Sequence, residues 1–238
     1  MKWKKKKKKM GNNLEEFISL SDKRAKKQNK EYYLYNSILV FMKDPFPVDI
    51  DVNAVLKKVE AKIPSSMVTR TLDAVYIGSF PSLLDSGDFT AKYEDGAIYI
   101  SNEQYDEQDL FRDLVHEISH AIEDLYGQEI FADRTVENEF LGKRQRLYSI
   151  LSSEGYDVSL SMFMNVEYSE GMDNFLYREL GYPTLTSYTM GLFISPYAVT
   201  NLGEYYARGF EEYVYGEKEY LKKVSPSLYN KLEKLLGG

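Results

Sequence analysis

Leu114-Val115-His116-Glu117-Ile118-Ser119-His120-Ala121 is the stretch whose reading decides the fold of this chain. Around it Leu110, Leu114, Ile118, Ala121, Ile122 and Leu125 recur at helical spacing, so the run from about Asp106 to Tyr126 predicts an amphipathic, partly buried helix. On a helix, positions i and i+4 lie one above the other, and His116 and His120 therefore present two imidazoles to one point in space. Such a pair binds a metal ion, and zinc suits it best. Glu117 stands beside that point without ligating, where a carboxylate can take a proton from a water activated by the ion. These residue types in this order are the working parts of a zinc metallopeptidase. The chain of 238 residues has two histidines, and both are spent here. Chance alone would arrange them so on the order of once in a thousand chains of this composition.

Working outward, a chain of this length with 43 % hydrophobic residues can bury a full core without a staple. Cysteine is absent, which excludes a disulfide framework, a thiolate metal site and a cysteine nucleophile. The formal charge of −7 conceals an asymmetry: Lys2 and Lys4 to Lys9 place seven positive charges in the first ten residues, which leaves the remainder near −14. An acidic body disfavours nonspecific nucleic-acid binding, whereas the Lys4–Lys9 tail can meet an anionic partner such as phosphate or lipid. Residues 1–30 read as a basic flexible tail and a short helix, and 31–238 as the main domain. Gly11-Asn12-Asn13-Leu14-Glu15-Glu16 after the lysines lacks the apolar core of a signal peptide, and no later run is long enough to span a bilayer. The expectation is a soluble protein without a Sec export signal.

Upstream of the motif, Ile38 to Met42 and Leu72 to Phe80 read as strands, and Asp51 to Ile63 resumes helical spacing. Phe89 to Tyr93, a Glu94-Asp95-Gly96 turn, and Ala97 to Ser101 predict a hairpin directly before the motif helix. In zinc peptidases of this motif, a strand on that side commonly forms the open sheet edge on which an extended polypeptide substrate pairs. Phe89–Tyr93 is assigned that role. Downstream the chain turns helical: Asp133 to about Ser152, Tyr168 to Leu180, Leu202 to Tyr215 and a last helix from Ser225 to Leu236, with Thr184 to Tyr197 read as aromatic and irregular.

A catalytic zinc needs a third protein ligand, and with no further histidine and no cysteine it must be a carboxylate. Two glutamates compete. Glu139 lies nineteen positions after His120, a spacing like that of several aminopeptidase-like zinc enzymes, but among the charged residues Arg134, Glu137, Lys143 and Arg144. Glu204 opens Glu204-Tyr205-Tyr206-Ala207-Arg208-Gly209-Phe210, where Ala207, Phe210 and Val214 can bury a helix beside the first one. The second setting is the better one.

His116 to Ala121, followed far downstream by Tyr197-Ala198-Val199-Thr200-Asn201-Leu202-Gly203-Glu204-Tyr205-Tyr206-Ala207 and Phe210, resembles the zinc peptidase family that includes the anthrax lethal factor catalytic domain and the Pro-Pro endopeptidases. The resemblance covers roughly Asp73 to Leu236. It implies that Glu204 is the third zinc ligand and that Tyr197, seven residues earlier, points at the oxygen the metal binds. It implies a zincin-like α+β fold: a small mixed sheet with an edge hairpin packed on the motif helix, then a mostly helical C-terminal lobe. Two departures stand out. The interval from His120 to Tyr197 is longer than the family's usual one, so about 133–180 is read as a helical insertion. Arg208 stands where lethal factor has a second acid one turn after the ligand.

The sequence thus predicts a metallopeptidase with His116, His120 and Glu204 on one Zn2+, Glu117 as general base and Tyr197 as oxyanion donor. Two other readings share its features: a binding or structural module on the same fold, and a zinc amidase acting on cell-wall amides.

Overall fold

The computed structural model of the protein describes residues 31–84 and 90–237. The lysine tail, the short helix expected before residue 30, and Phe89 lie outside the described residues.

Five short strands form one mixed sheet in the order β1-β2-β3-β5-β4. β1 (Glu31–Leu34) and β2 (Ile38–Met42) are an antiparallel hairpin, with Tyr35 and Asn36 both at positive φ, +51° and +55°. Tyr35 is held in that unfavourable conformation at both ends: its N–H donates to Glu60 Oε1 at 2.6 Å and its hydroxyl to Ile63 O at 2.7 Å. β3 (Ala74–Ile77) runs parallel to both β2 and β5 (Ala97–Ile100). β4 (Ala91–Glu94) closes an antiparallel hairpin with β5 through Asp95 and Gly96, again both at positive φ, the conformation an Asp-Gly turn favours. β4 is an edge strand of the sheet.

Alternation in the strands separates the sheet's faces. Ile38, Val40, Met42, Val75, Ile77, Ile98 and Ile100 are buried on one side. Two helices cover that face. α1 (Val52–Glu60) starts at Asp51, whose side chain caps Ala54 N–H, and buries Val52, Val55, Leu56 and Val59. α4 (Glu107–Phe131), which follows the one-turn helices α2 (Ser65–Val68) and α3 (Pro81–Leu84), carries the HExxH motif. Asp106 caps it by accepting from Gln108 and Asp109 N–H at 2.8 and 2.9 Å. Its Leu110, Phe111, Leu114, Val115, Ile118, Ala121 and Ile122 are fully buried. The helix runs past Tyr126 to Phe131, and Leu125 falls on its exposed side while Ile130 returns to the core.

The rest is helical. α5 (Thr135–Ser153), α6 (Leu160–Phe163) and α7 (Glu170–Asn174) lead into a π-helical turn, Phe175–Gly181. The expected single helix over 168–180 is therefore two pieces, the second wound wider. The segment read as irregular begins with a helix, α8 (Tyr182–Thr189): Gly181, at φ +80°, ends one element, and Pro183 lies in the first turn of the next, where its missing N–H has no helical partner to lose. A 3-10 turn (Pro196–Val199) then precedes α9 (Leu202–Tyr215), α10 (Lys218–Val224) and α11 (Pro226–Leu236). α9 packs along α4 and buries Tyr205, Tyr206, Ala207 and Phe210 completely. Glycine at 209 allows the close approach of α11, since a Cβ there would strike the Leu228 side chain. Among the described residues no helix is long and apolar enough to cross a membrane. The α+β architecture expected from the sequence is the one observed: a mixed sheet on a long helix, followed by helices.

Candidate metal centre

α4 sets His116 and His120 one turn apart on the side that α9 covers. Their rings lie 4.8 Å between centroids and nearly perpendicular, at 83°, with the two Nε2 atoms 3.2 Å apart. α9 supplies the third group. Asn201 caps it by accepting Glu204 N–H at 2.8 Å, which fixes Glu204 in the first turn. Its carboxylate lies with Oε2 at 3.6 Å from His116 Nε2 and Oε1 at 3.6 Å from His120 Nε2. A tetrahedral ion with N and O ligands at about 2.0–2.1 Å requires ligand atoms roughly 3.3–3.4 Å apart; here one atom from each of the three residues lies within 4.8 Å of the others, and each carboxylate oxygen approaches a different imidazole. His116, His120 and Glu204 form a group that could hold one metal ion.

The chemistry of the donors agrees with their spacing. Each imidazole is engaged at Nδ1 by a carboxylate, which can only accept: His116 by Glu211 Oε1 at 2.7 Å, His120 by Glu123 Oε2 at 3.2 Å. In the neutral rings that a metal would need, the proton is thereby held at Nδ1 and both Nε2 atoms face the Glu204 carboxylate. With both rings neutral, three electron-rich atoms converge on one point, an arrangement that a cation between them would stabilise. Glu204 Oε2 is moreover buried without a hydrogen-bond donor among the described residues, an orphan that a metal ion would satisfy. The side chains of His116, His120 and Glu204 remain 15 %, 23 % and 14 % exposed, so the centre has an open side for a further ligand.

In the metal-free centre these groups compensate one another. Burial alone would lower the His120 imidazole, but hydrogen bonds with Glu123 and Glu204 outweigh it and push it up to about 10. Burial would likewise raise the Glu204 and Glu211 carboxyls. The imidazole beside each, together with the Arg208 guanidinium, holds both below the usual carboxylate range instead.

Glu117 is buried at 6 % exposure and sits in the turn between the two histidines. Burial raises its carboxyl, opposed by His116, His120 and the backbone of Tyr93 in β4. The edge strand therefore runs beside the motif, and Tyr93 is tied to α4 a second time through its hydroxyl, which donates to Asp124 Oδ2 at 2.9 Å. Tyr197 lies in the 3-10 turn before α9. Burial and the nearby Glu204 carboxylate raise its phenol. Its ring packs against the Arg208 guanidinium, 5.0 Å from the ring centroid, and against the Tyr177 ring at 5.9 Å.

Glu139, the competing carboxylate, is elsewhere. It accepts from the Tyr205 hydroxyl at 2.8 Å and from the N–H groups of Ser227 and Leu228 at 2.8 and 3.2 Å, and so caps the start of α11. The residues that reading the sequence missed are Glu123, Glu211 and Tyr177; Arg208, noted there only as a departure, donates to Glu211. A signal existed for two of them: Glu123 is one turn after His120, and Glu211 two turns after Glu204, each on its ligand's face. Arg208 does not leave His116 without an acidic partner, because Glu211 takes that place one turn further along.

Comparison with protein-family models, with curated proteins and with solved structures finds no match to this chain.

Proposed function

We propose that this protein is a zinc-dependent metallopeptidase that hydrolyses peptide bonds within an extended polypeptide. The observation that carries the reading is the triangle of His116 Nε2, His120 Nε2 and the Glu204 carboxylate, with a buried glutamate, Glu117, on the same turn of helix. When bound, zinc supplies a Lewis acid and brings the ionisation of water into the neutral range.

The remaining work falls to the chain's own groups. Glu117 accepts the proton of the attacking water and hands it to the nitrogen of the leaving amine. Its raised carboxyl suits both halves of that exchange, since a stronger base still returns the proton readily near neutral pH. Tyr197 donates a hydrogen bond to the developing oxyanion, a contact worth on the order of 3 kcal/mol in such sites. Because burial and Glu204 raise its phenol, the hydroxyl keeps its proton for that purpose. β4 is an edge strand beside Glu117, and a substrate strand would pair along it. Residues 133–180 we read as an insertion walling the cleft, which Tyr177 supports by reaching Tyr197.

The test is cleavage of a peptide library by the purified protein, with and without a chelator, read by mass spectrometry. Chelator-sensitive cleavage that disappears in Glu117→Ala is expected. Metal binding with no cleavage by the wild type would contradict the peptidase reading and is the behaviour of a binding module; cleavage confined to cell-wall amides would point to an amidase.

A further inference from the structure

We propose that Arg208 is a positioning residue that ties the orientation of the metal ligand His116 to that of Tyr197. Its guanidinium Nη1 donates to both oxygens of Glu211, at 3.0 and 3.1 Å. One of those oxygens, Oε1, is the atom that engages His116 Nδ1 at 2.7 Å. The same guanidinium carbon lies 5.0 Å from the centroid of the Tyr197 ring. One planar cation therefore fixes the carboxylate that aims an imidazole and also carries the aromatic ring whose hydroxyl serves the reaction.

The arrangement follows from helix periodicity. Glu204, Arg208 and Glu211 stand at i, i+4 and i+7 of α9, so ligand, cation and orienting acid share one face. Glu211 is buried at 8 % exposure and would lose its guanidinium partner, keeping only the His116 contact on Oε1, if Arg208 were replaced by a neutral residue. An arginine fits the position better than a lysine. Its flat guanidinium can donate along its edge to Glu211 while its face meets the ring, whereas a single ammonium has no plane with which to do both. The tyrosine is supported a second time by Tyr177, whose hydroxyl lies 2.9 Å from Thr200 Oγ1, so loss of Arg208 alone displaces Tyr197 without freeing it.

The half of this inference that concerns His116 rests on metal binding alone, and the half that concerns Tyr197 rests on the peptidase reading. Two variants of the full chain, Arg208→Met and Arg208→Lys, separate them. Zinc affinity is measured by competition with a chelating dye, the Co2+ absorption spectrum reports ligand geometry, and kcat and KM are measured on a peptide that the wild type cuts. Arg208→Met is expected to weaken zinc binding about tenfold, as loss of support for a ligand's orientation does, and to alter the Co2+ spectrum. Arg208→Lys is expected to restore most of the zinc affinity by pairing with Glu211, yet to lower kcat at least tenfold with KM within twofold. Unchanged affinity and Co2+ spectrum in Arg208→Met overturn the proposal, as does a wild type that binds no zinc. Full kcat in Arg208→Lys overturns the Tyr197 half. If the wild type binds zinc but cuts no peptide, the peptidase reading and the Tyr197 half fall together, and the affinity and spectrum still decide the His116 half.

Discussion

Glu211 Oε1 lies 2.7 Å from His116 Nδ1, across 95 residues of chain, and so a side chain two turns beyond one candidate ligand, Glu204, orients another on a different helix. The contact keeps the His116 proton on Nδ1 and its Nε2 free to coordinate. Glu211→Gln keeps the shape but removes the charge. Zinc affinity in that variant is expected to fall about tenfold, measured by chelator competition, with the fold unchanged by circular dichroism. Unchanged affinity would mean that Glu211 answers Arg208 alone.

Zinc binding should release a proton. Burial works against a charged His120, but its hydrogen bonds with Glu123 and Glu204 raise it to about 10, so the metal-free imidazole is protonated at pH 7.5 and must lose that proton to coordinate. The sign follows: below the raised value protons compete with the ion, and affinity climbs as pH rises toward it. Titration calorimetry in two buffers of different ionisation enthalpy should give at least one proton released per zinc at pH 7.5. A binding enthalpy independent of buffer would contradict this.

Glu139 separates stability from metal binding. Glu139→Ala removes the acceptor for the Tyr205 hydroxyl and for two N–H groups at the start of α11. Loss of about 2–3 kcal/mol in urea unfolding is expected, because partly buried donors are left unpaired. Zinc content should equal that of the wild type. An empty site in this variant would return Glu139 to the role of ligand.

Lys143 gives the fold a pH dependence on the alkaline side. The ammonium is buried at 8 % exposure and donates to Val224 O and Ser225 Oγ, both at 2.7 Å. Burial lowers it from 10.5 to about 8. Between those values the unfolded chain binds more protons than the folded one, so this residue's contribution to stability rises with pH in that window. The unfolding free energy of the wild type minus that of Lys143→Met should become more favourable by roughly 2 kcal/mol from pH 7 to pH 9.5. A difference that stays flat or falls would contradict it.

Local pattern made much of this architecture readable. The apolar spacing around His116 and His120 gave the central helix and its buried face, and Asp95-Gly96 gave the β4–β5 turn, because each signal lies within a few residues. What the pattern could not carry was order across distance. The parallel placement of β3 between β2 and β5 depends on crossovers that leave no periodic trace in the strands. Thr184 to Tyr197 reads as irregular, yet α8 occupies its first part with Pro183 in the opening turn, because the missing N–H of a proline suits a helix start as well as a break and Gly181 decides between them. At the centre, the choice of Glu204 over Glu139 rested on the apolar company of each, and it is Glu204 that lies beside the two histidines while Glu139 caps α11. Tyr177 could not be found beforehand, since its π-helical turn brings the ring to Tyr197 by a winding that helical periodicity does not anticipate.

The most direct measurement is the zinc content of purified protein by elemental analysis, wild type beside Glu204→Ala, after dialysis against metal-free buffer. One zinc per chain in the wild type and less than a tenth of that in the variant is the expected result. A wild type without zinc, or a Glu204→Ala variant that retains a full equivalent, would contradict the account at its base.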